Sequence, residues 1–271
     1  MTDRLSLIAG SGALVPEVID AAIERGFAIQ VLTLMPRRLP AGVASVRLDL
    51  RDLQSGMNEI RRFGADRLAM AGGVTLTDSN REALLRQAGG AAATLGDTGM
   101  SRFAGFIETQ TGARLVGVHE IAPQLLAPDG QIAGPLPSPQ LVEVGKAALR
   151  LARQAGALDL GQGIVVAGQR VIALEDVAGT DALLRRVAQY HRRGLAGDGR
   201  SPLVFAKAMK PDQPAAIDLP AIGPKTVTAA RGAGIALIAV QAGGTLLIQR
   251  AKLAQAAAKA GLPIVGLTPD E

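Results

Sequence analysis

Short apolar runs alternate with helix-period segments through the first half of the chain. Residues 5–9, 28–34, 67–71 and 114–118 read as strands. Residues 16–25, 53–63, 79–87 and 101–111 carry apolar positions at helical spacing. Pro16 stands near the start of the first helix and Gly64 closes the second. Alternation at this spacing predicts a mostly parallel sheet.

A different rhythm follows. The segment from Ala127 to Pro139 holds four prolines and two glycines, a composition that reads as a linker. We therefore expect an α/β protein of two domains. A Rossmann-like parallel sheet covers 1–127, a Pro/Gly-rich linker covers 128–138, and a mixed α/β domain covers 139–271. Ser138 can cap a helix from Pro139 to about residue 154. Residues 163–167 and 170–175 read as strands joined by Gly168-Gln169 in a tight hairpin. A helix over 179–190 could be capped by Thr180 or Asp181. Residues 203–207, 235–240, 245–248 and 264–267 complete the strands, with helices at 226–231 and 250–260.

Composition narrows the possibilities. Aromatic residues make up only 2% of 271 residues, with no Trp, so Ala, Val, Ile and Leu must build the core. That suits parallel strands covered on both faces and argues against a stacking platform for nucleic acid. There is no Cys, which removes thiol nucleophiles and is compatible with the cytoplasm. The N-terminus lacks a long apolar region, so no signal peptide is expected. The best apolar stretch, 234–248, is short of the roughly 20 residues of a bilayer span. The net charge of +5 fits a solvated surface, and equally an anionic ligand or bilayer surface.

Four groups of residues could carry chemistry. Gly10-Ser11-Gly12 follows the first strand, where glycines let backbone approach a phosphate near a helix start. Val15 occupies the place of the third glycine of a dinucleotide fingerprint, so a redox cofactor is not expected. Gly72 and Gly73 follow another strand and would line the same carboxyl edge, where ligands of open sheets sit. Both turns also fit plain tight turns. Lys207, Lys210 and Asp218 surround a proline-rich, non-helical segment, a pattern able to neutralise a pyrophosphate and hold Mg²⁺ or water. An exposed loop with Asp218 as a turn residue fits too. Glu175, Asp176 and Asp181 could share a metal with Asp218 or serve as caps and surface charge. With only two histidines, His119 and His191, no zinc or His-based two-metal site is available.

Taken in order along the chain, a set of short blocks resembles one family. They are Leu7-Ile-Ala-Gly-Ser-Gly-Ala-Leu14, Ala71-Gly-Gly-Val74, Gly96-Asp97, Gly117-Val-His-Glu-Ile121, Asp159-Leu-Gly-Gln-Gly163, Glu175 with Gly179-Thr-Asp-Ala-Leu-Leu-Arg-Arg186, Lys207 with Lys210-Pro211, and Asp218-Leu-Pro-Ala-Ile-Gly223. This set resembles the UDP-2,3-diacylglucosamine pyrophosphatases of lipid A synthesis, the LpxI type. The resemblance implies hydrolysis of UDP-2,3-diacylglucosamine to UMP and 2,3-diacylglucosamine 1-phosphate (lipid X). It implies Mg²⁺, a homodimer, two domains with the lipid-linked substrate between them, and work at the cytoplasmic face of the inner membrane. It makes Asp218 important for catalysis.

The residue-level expectations that join this picture are as follows. Asp218, Lys207 and Lys210 act in catalysis. Asp218 and Glu175 hold Mg²⁺. Gly10, Gly12, Gly72, Gly73, Asp97, Thr180 and Asp181 bind substrate. The chain departs from the family at Gly73, where Asn is usual, at Thr98, where a second acidic residue is common, and at Ala216, where an arginine usually stands. A second reading is therefore a divergent homologue that binds a nucleotide-sugar or lipid ligand without turning it over.

Overall fold

In the computed structural model, residues 3–74, 87, 97–197, 201–211 and 213–269 are described, with the backbone alone at 97–103. The expected helix at 79–87 lies outside them apart from Gln87. The chain divides into two compact units. The first comprises 1–124 and 213–218, and the second 125–212 and 219–271.

The first unit is built on β1 (Arg4–Ala9), α1 (Leu14–Glu24), β2 (Ala28–Thr33), β3 (Ala44–Arg47), α2 (Leu53–Phe63), β4 (Arg67–Ala71), α3 (Asp97–Thr111), β5 (Arg114–Leu115) and α4 (Val118–Ile121). Its five strands run in the order β3-β2-β1-β4-β5, all parallel. This is the parallel sheet that the alternation predicts. Local chemistry fixes the helix ends. The Asp52 carboxylate accepts from Ser55 N–H at 3.0 Å, and Gly64 ends α2 at φ 67, the left-handed geometry that glycine adopts without cost. Leu32, Leu48, Ile60, Leu68 and Ile107 form one core cluster, and α1 buries Val15, Val18, Ile19 and Ala22.

The second unit carries β6 (Gly130–Ala133), α5 (Pro139–Ala157), β7 (Gly163–Ala167), β8 (Arg170–Leu174), α6 (Gly179–Arg192), β9 (Leu203–Lys207), β10 (Ala221–Ile222), α7 (Pro224–Gly232), β11 (Ile235–Gln241), β12 (Leu246–Leu247), α8 (Arg250–Ala260) and β13 (Ile264–Leu267). Its larger sheet has the order β6-β13-β11-β9-β7-β8 and mixes parallel with antiparallel pairs. Strand β9 shows why it needs no polar face. Leu203 and Phe205 join the cluster that contains Leu183, Leu184 and Val187 of α6. Val204 and Ala206 join the cluster that contains Ala148, Leu149 and Ala152 of α5. A strand covered by a helix layer on each face reads as a continuous apolar run.

Three local expectations need correction. The segment 128–138 is no bare linker, because it contains β6, paired antiparallel with β13. An edge strand tolerates flanking prolines because one side of its ladder is unpaired. The strand expected at 114–118 stops at Leu115, and Val118 opens α4 instead. Neither Thr180 nor Asp181 caps α6. Its N-cap is Ala178, with no side-chain hydrogen bond, and the Thr180 hydroxyl is engaged elsewhere.

Candidate functional site

At the carboxyl end of the first sheet, the two glycine turns clasp each other. Gly10 N–H donates to Ala71 O at 2.9 Å, Ser11 N–H to Gly73 O at 2.8 Å, and Gly73 N–H to Ser11 O at 3.0 Å. The Ser11 hydroxyl also donates to Gly73 O at 3.0 Å. The approach leaves no room for side chains. A Cβ on Gly10 would lie 2.5 Å from Gly73 O, and one on Gly72 (φ +88) would lie 2.4 Å from Ser11 O and 2.8 Å from Val15 Cγ2. Val15, the residue in place of the third fingerprint glycine, therefore packs under the clasp. Gly12, at φ +97, has nothing within 4 Å of its would-be Cβ; only its dihedral calls for glycine.

Beside the clasp lies an open pocket of about 580 Å³. Its walls include Ser11, Met35, Arg47, Asp49, Arg51 and Val74. Both arginines escaped the sequence reading: β3 is only four residues long and mostly exposed, and Arg51 lies beyond its end.

A third element of this unit is the segment 213–218, which ends at the exposed Asp218. It rests on Gly117, just past β5. A Cβ on Gly117 would lie 2.9 Å from Ala215 O and 2.4 Å from His119 Nδ1. His119 Nδ1 is buried without a hydrogen-bond partner. Glu120 fixes the start of α4 by accepting from Gly117 N–H at 3.0 Å and from Arg114 at 2.9 Å. Burial pushes the Glu120 carboxyl up, but the Gly117 N–H and the Arg114 guanidinium together hold it below the usual range.

In the second unit the carboxyl ends of β8 and β9 converge. Lys207, 7% exposed, donates to Thr180 Oγ1 at 2.7 Å. That hydroxyl in turn donates to Glu175 Oε1 at 2.7 Å. Lys207 Nζ lies 3.5 Å from the same carboxylate oxygen, while Glu175 Oε2 is buried without a partner. Glycines of the 159–163 segment make the seat. A Cβ on Gly163 would lie 2.5 Å from Glu175 Oε2, and one on Gly161 (φ +117) would lie 2.5 Å from Glu175 O. Lys210 pairs with Asp159, and its stem packs on Gly156, where a Cβ would lie 3.2 Å from Lys210 Cγ. Asp176 pairs instead with Arg186 at 2.8 Å. The hydrogen bond from Arg186 is the main cause holding the Asp176 carboxyl below its usual value, with Ala178 N–H adding to it.

The expected site residues thus fall into groups. Gly10, Gly72 and Gly73 meet in the first unit. Lys207, Thr180 and Glu175 meet in the second, and Lys210 stands with Asp159. Asp181 is exposed in the first turn of α6. Asp97 begins α3, and its side chain lies outside the described residues. Asp218 belongs to the first unit and Glu175 to the second. Among the described residues no three His, Asp or Glu side chains form a metal-binding group, and no helix is long and apolar enough to cross a membrane.

Comparison with known proteins adds the family. The family model for the LpxI N-terminal domain matches residues 4–125, and that for the LpxI C-terminal domain matches residues 128–265. A relative from Caulobacter vibrioides, called UDP-2,3-diacylglucosamine pyrophosphatase LpxI, is 33% identical over 279 aligned positions that cover 99% of each chain. Solved structures align far less well. The UDP-glucose 4-epimerase from Thermus thermophilus gives 18% identity and a TM-score of 0.30, over 50% of this chain and 41% of that one. The Brucella ovis UDP-glucose 4-epimerase gives 12% and 0.28, over 60% and 64%. Both family models and the end-to-end relative agree along the whole sequence, and on that ground the chain belongs to the LpxI family.

Proposed function

We propose that the chain hydrolyses the pyrophosphate of UDP-2,3-diacylglucosamine, giving UMP and 2,3-diacylglucosamine 1-phosphate, a step of lipid A synthesis. The end-to-end match to the Caulobacter vibrioides pyrophosphatase carries this reading. The second unit supports it with a buried ammonium whose orientation is set. Thr180 takes one N–H of Lys207 and Glu175 balances its charge, which leaves a further N–H for a phosphate oxygen. Lys210, three residues beyond β9 and paired with Asp159, adds a second cation. Water attacks one phosphorus, the bridging P–O bond breaks, and the other phosphate leaves. Asp218 orients that water and accepts its proton, while the lysines stabilise charge developing on the phosphate oxygens.

Mg²⁺ belongs to this reading, and Glu175 with substrate phosphates would hold it. A magnesium ion often takes only one or two protein carboxylates, and the buried, unpartnered Glu175 Oε2 has the donor chemistry such an ion requires. When bound, the ion supplies positive charge at the phosphate oxygens. The homodimer and the contact with the cytoplasmic face of the inner membrane are parts of the same proposal. Leu158 at 72% exposure and Val177 at 100% flank the Asp159 and Glu175 positions and offer apolar surface to acyl chains.

The test is UMP release from UDP-2,3-diacylglucosamine with Mg²⁺. Asp218→Ala should lower turnover by about 10²- to 10³-fold with an unchanged melting temperature, and chelation should abolish it in the wild type. Ala216, standing where the family usually has arginine, favours the second reading of a ligand-binding relative without turnover. Substrate binding without UMP release in the wild type would select it.

A further inference from the structure

Helix α5 ends in a turn that this chain elsewhere gives to glycine. Leu160 N–H donates to Ala155 O at 3.0 Å and Asp159 N–H to Gly156 O at 2.9 Å, the paired bonds that close a helix around one left-handed residue. The same pair of bonds closes α1, α2, α6 and α8, where the left-handed residue is Gly26, Gly64, Gly194 or Gly261. In α5 it is Asp159, at φ 58. Among the described residues, Gln249 is the one other non-glycine residue with a positive φ. The carboxylate is misplaced by a second measure, because the carbonyl end of a helix repels negative charge. Two local rules are broken at one position, as happens where a residue serves a site rather than the fold.

The partner of Asp159 is Lys210, with side chains 51% and 15% exposed. The Lys210 stem lies along the last turn of α5, against Gly156, where a Cβ would lie 3.2 Å from Cγ and 3.3 Å from Cα. The backbone before it is held without the carboxylate. Ala208 N–H donates to Gln162 O at 3.0 Å, and Met209 N–H donates to Gln241 Oε1 at 3.1 Å. With backbone and stem both held, the pair is left to set the direction of the ammonium. A carboxylate this exposed adds little to stability through its ion pair, so its effect lies in orientation. The same 159–163 segment seats Glu175 through Gly161 and Gly163. One stretch of chain therefore aligns Lys210 and Glu175 together.

We infer that Asp159 is a positioning residue, which aims the Lys210 ammonium at the phosphate oxygens where negative charge develops. The inference rests on the hydrolase reading above and adds to it a residue that acts only through Lys210. The chain accepts a poorer helix end in return for a directed cation.

Kinetics, thermal melting and lysine NMR on the full chain test it. Asp159→Gly should lower kcat for UMP release about 10- to 100-fold, as loss of an orienting partner does, with KM little changed. It should nevertheless melt at the wild-type temperature or above, because glycine suits the left-handed turn. Asp159→Asn also tolerates that turn and keeps an oxygen for the ammonium, so it should retain more activity than Asp159→Gly. A residue needed only for the fold would make activity follow stability instead. In a Lys210→Met background, Asp159→Gly should cause no further loss. Wild-type turnover in Asp159→Gly overturns the inference, as does a lost turnover matched by a lower melting temperature. A full further loss in the Lys210→Met background overturns it too, and so does a change confined to KM, which would place Asp159 on the substrate itself. The NMR arm is independent of turnover. With lysine ε-carbons labelled and the Lys210 signal identified through Lys210→Met, that signal should shift in Asp159→Asn. An unmoved signal beside normal wild-type turnover removes the inference and keeps the hydrolase. A shifted signal in a wild type that releases no UMP keeps Asp159 as the residue that sets Lys210 and removes the hydrolase.

Discussion

Lys207 and Glu175 share one hydroxyl. Thr180 Oγ1 lies 2.7 Å from Lys207 Nζ and 2.7 Å from Glu175 Oε1. The ammonium and carboxylate are themselves 3.5 Å apart, with side chains 8% and 12% exposed. A pair buried to this degree stabilises less by being present than it destabilises when half of it is removed.

The Lys207→Met variant leaves Glu175 charged and buried, with Oε2 already lacking a partner. It should cost about 3–5 kcal/mol in urea unfolding. Glu175→Gln added to that background should recover part of the loss, because the uncompensated charge disappears. A Lys207→Met cost below about 1 kcal/mol would mean that the pair is solvated and contributes little.

The clasp offers a paired comparison of two glycines. Gly72→Ala meets both a positive φ and backbone at 2.4 Å, so it should cost about 2–4 kcal/mol. Gly12→Ala meets a positive φ in open space and should cost about 1–2 kcal/mol. Thermal unfolding of the two variants checks the order. Equal losses would show that the close approach of the turns adds nothing beyond the dihedral.

The Asp176–Arg186 pair sets a pH dependence. Asp176 has a lowered pKa in the folded chain, chiefly through its hydrogen bond from Arg186, and an ordinary one, about 4, when unfolded. The pair's contribution is therefore fully present above that ordinary value and disappears as pH falls through the lower folded one. Arg186→Gln should lower the urea midpoint at pH 7, and its effect should shrink as pH falls below the ordinary carboxylate value. Because Asp176 is exposed to solvent, the difference should be modest.

Much of the architecture is legible without coordinates where local signals agree. The expected helix at 53–63 matches α2, where Asp52 caps and Gly64 stops. The hairpin turn at Gly168-Gln169 joins β7 to β8 as expected. What is hidden depends on partners distant in sequence. Edge strand β3 is four residues long and mostly exposed, so Arg47 and the following Arg51 look like ordinary surface charge. The 128–138 segment has linker composition, and only its pairing with β13 makes part of it a strand. Thr180 looks like a helix cap because its assignment depends on Lys207, 27 residues later. The glycines of the 159–163 block are visible, but their reason, the seat for Glu175, is a tertiary contact.

The chain's route through the fold shapes how the protein is made. Residues 213–218 belong to the first unit but are translated after most of the second. During synthesis Gly117 waits uncovered until Ala215 arrives, and that closure joins positions about a hundred residues apart, the kind of late, long-range contact that slows folding. A gene fragment ending at residue 124 would lack this piece altogether. It would leave Gly117 without Ala215 against it and carry no Asp218, so severing the protein between its units does not yield two intact halves.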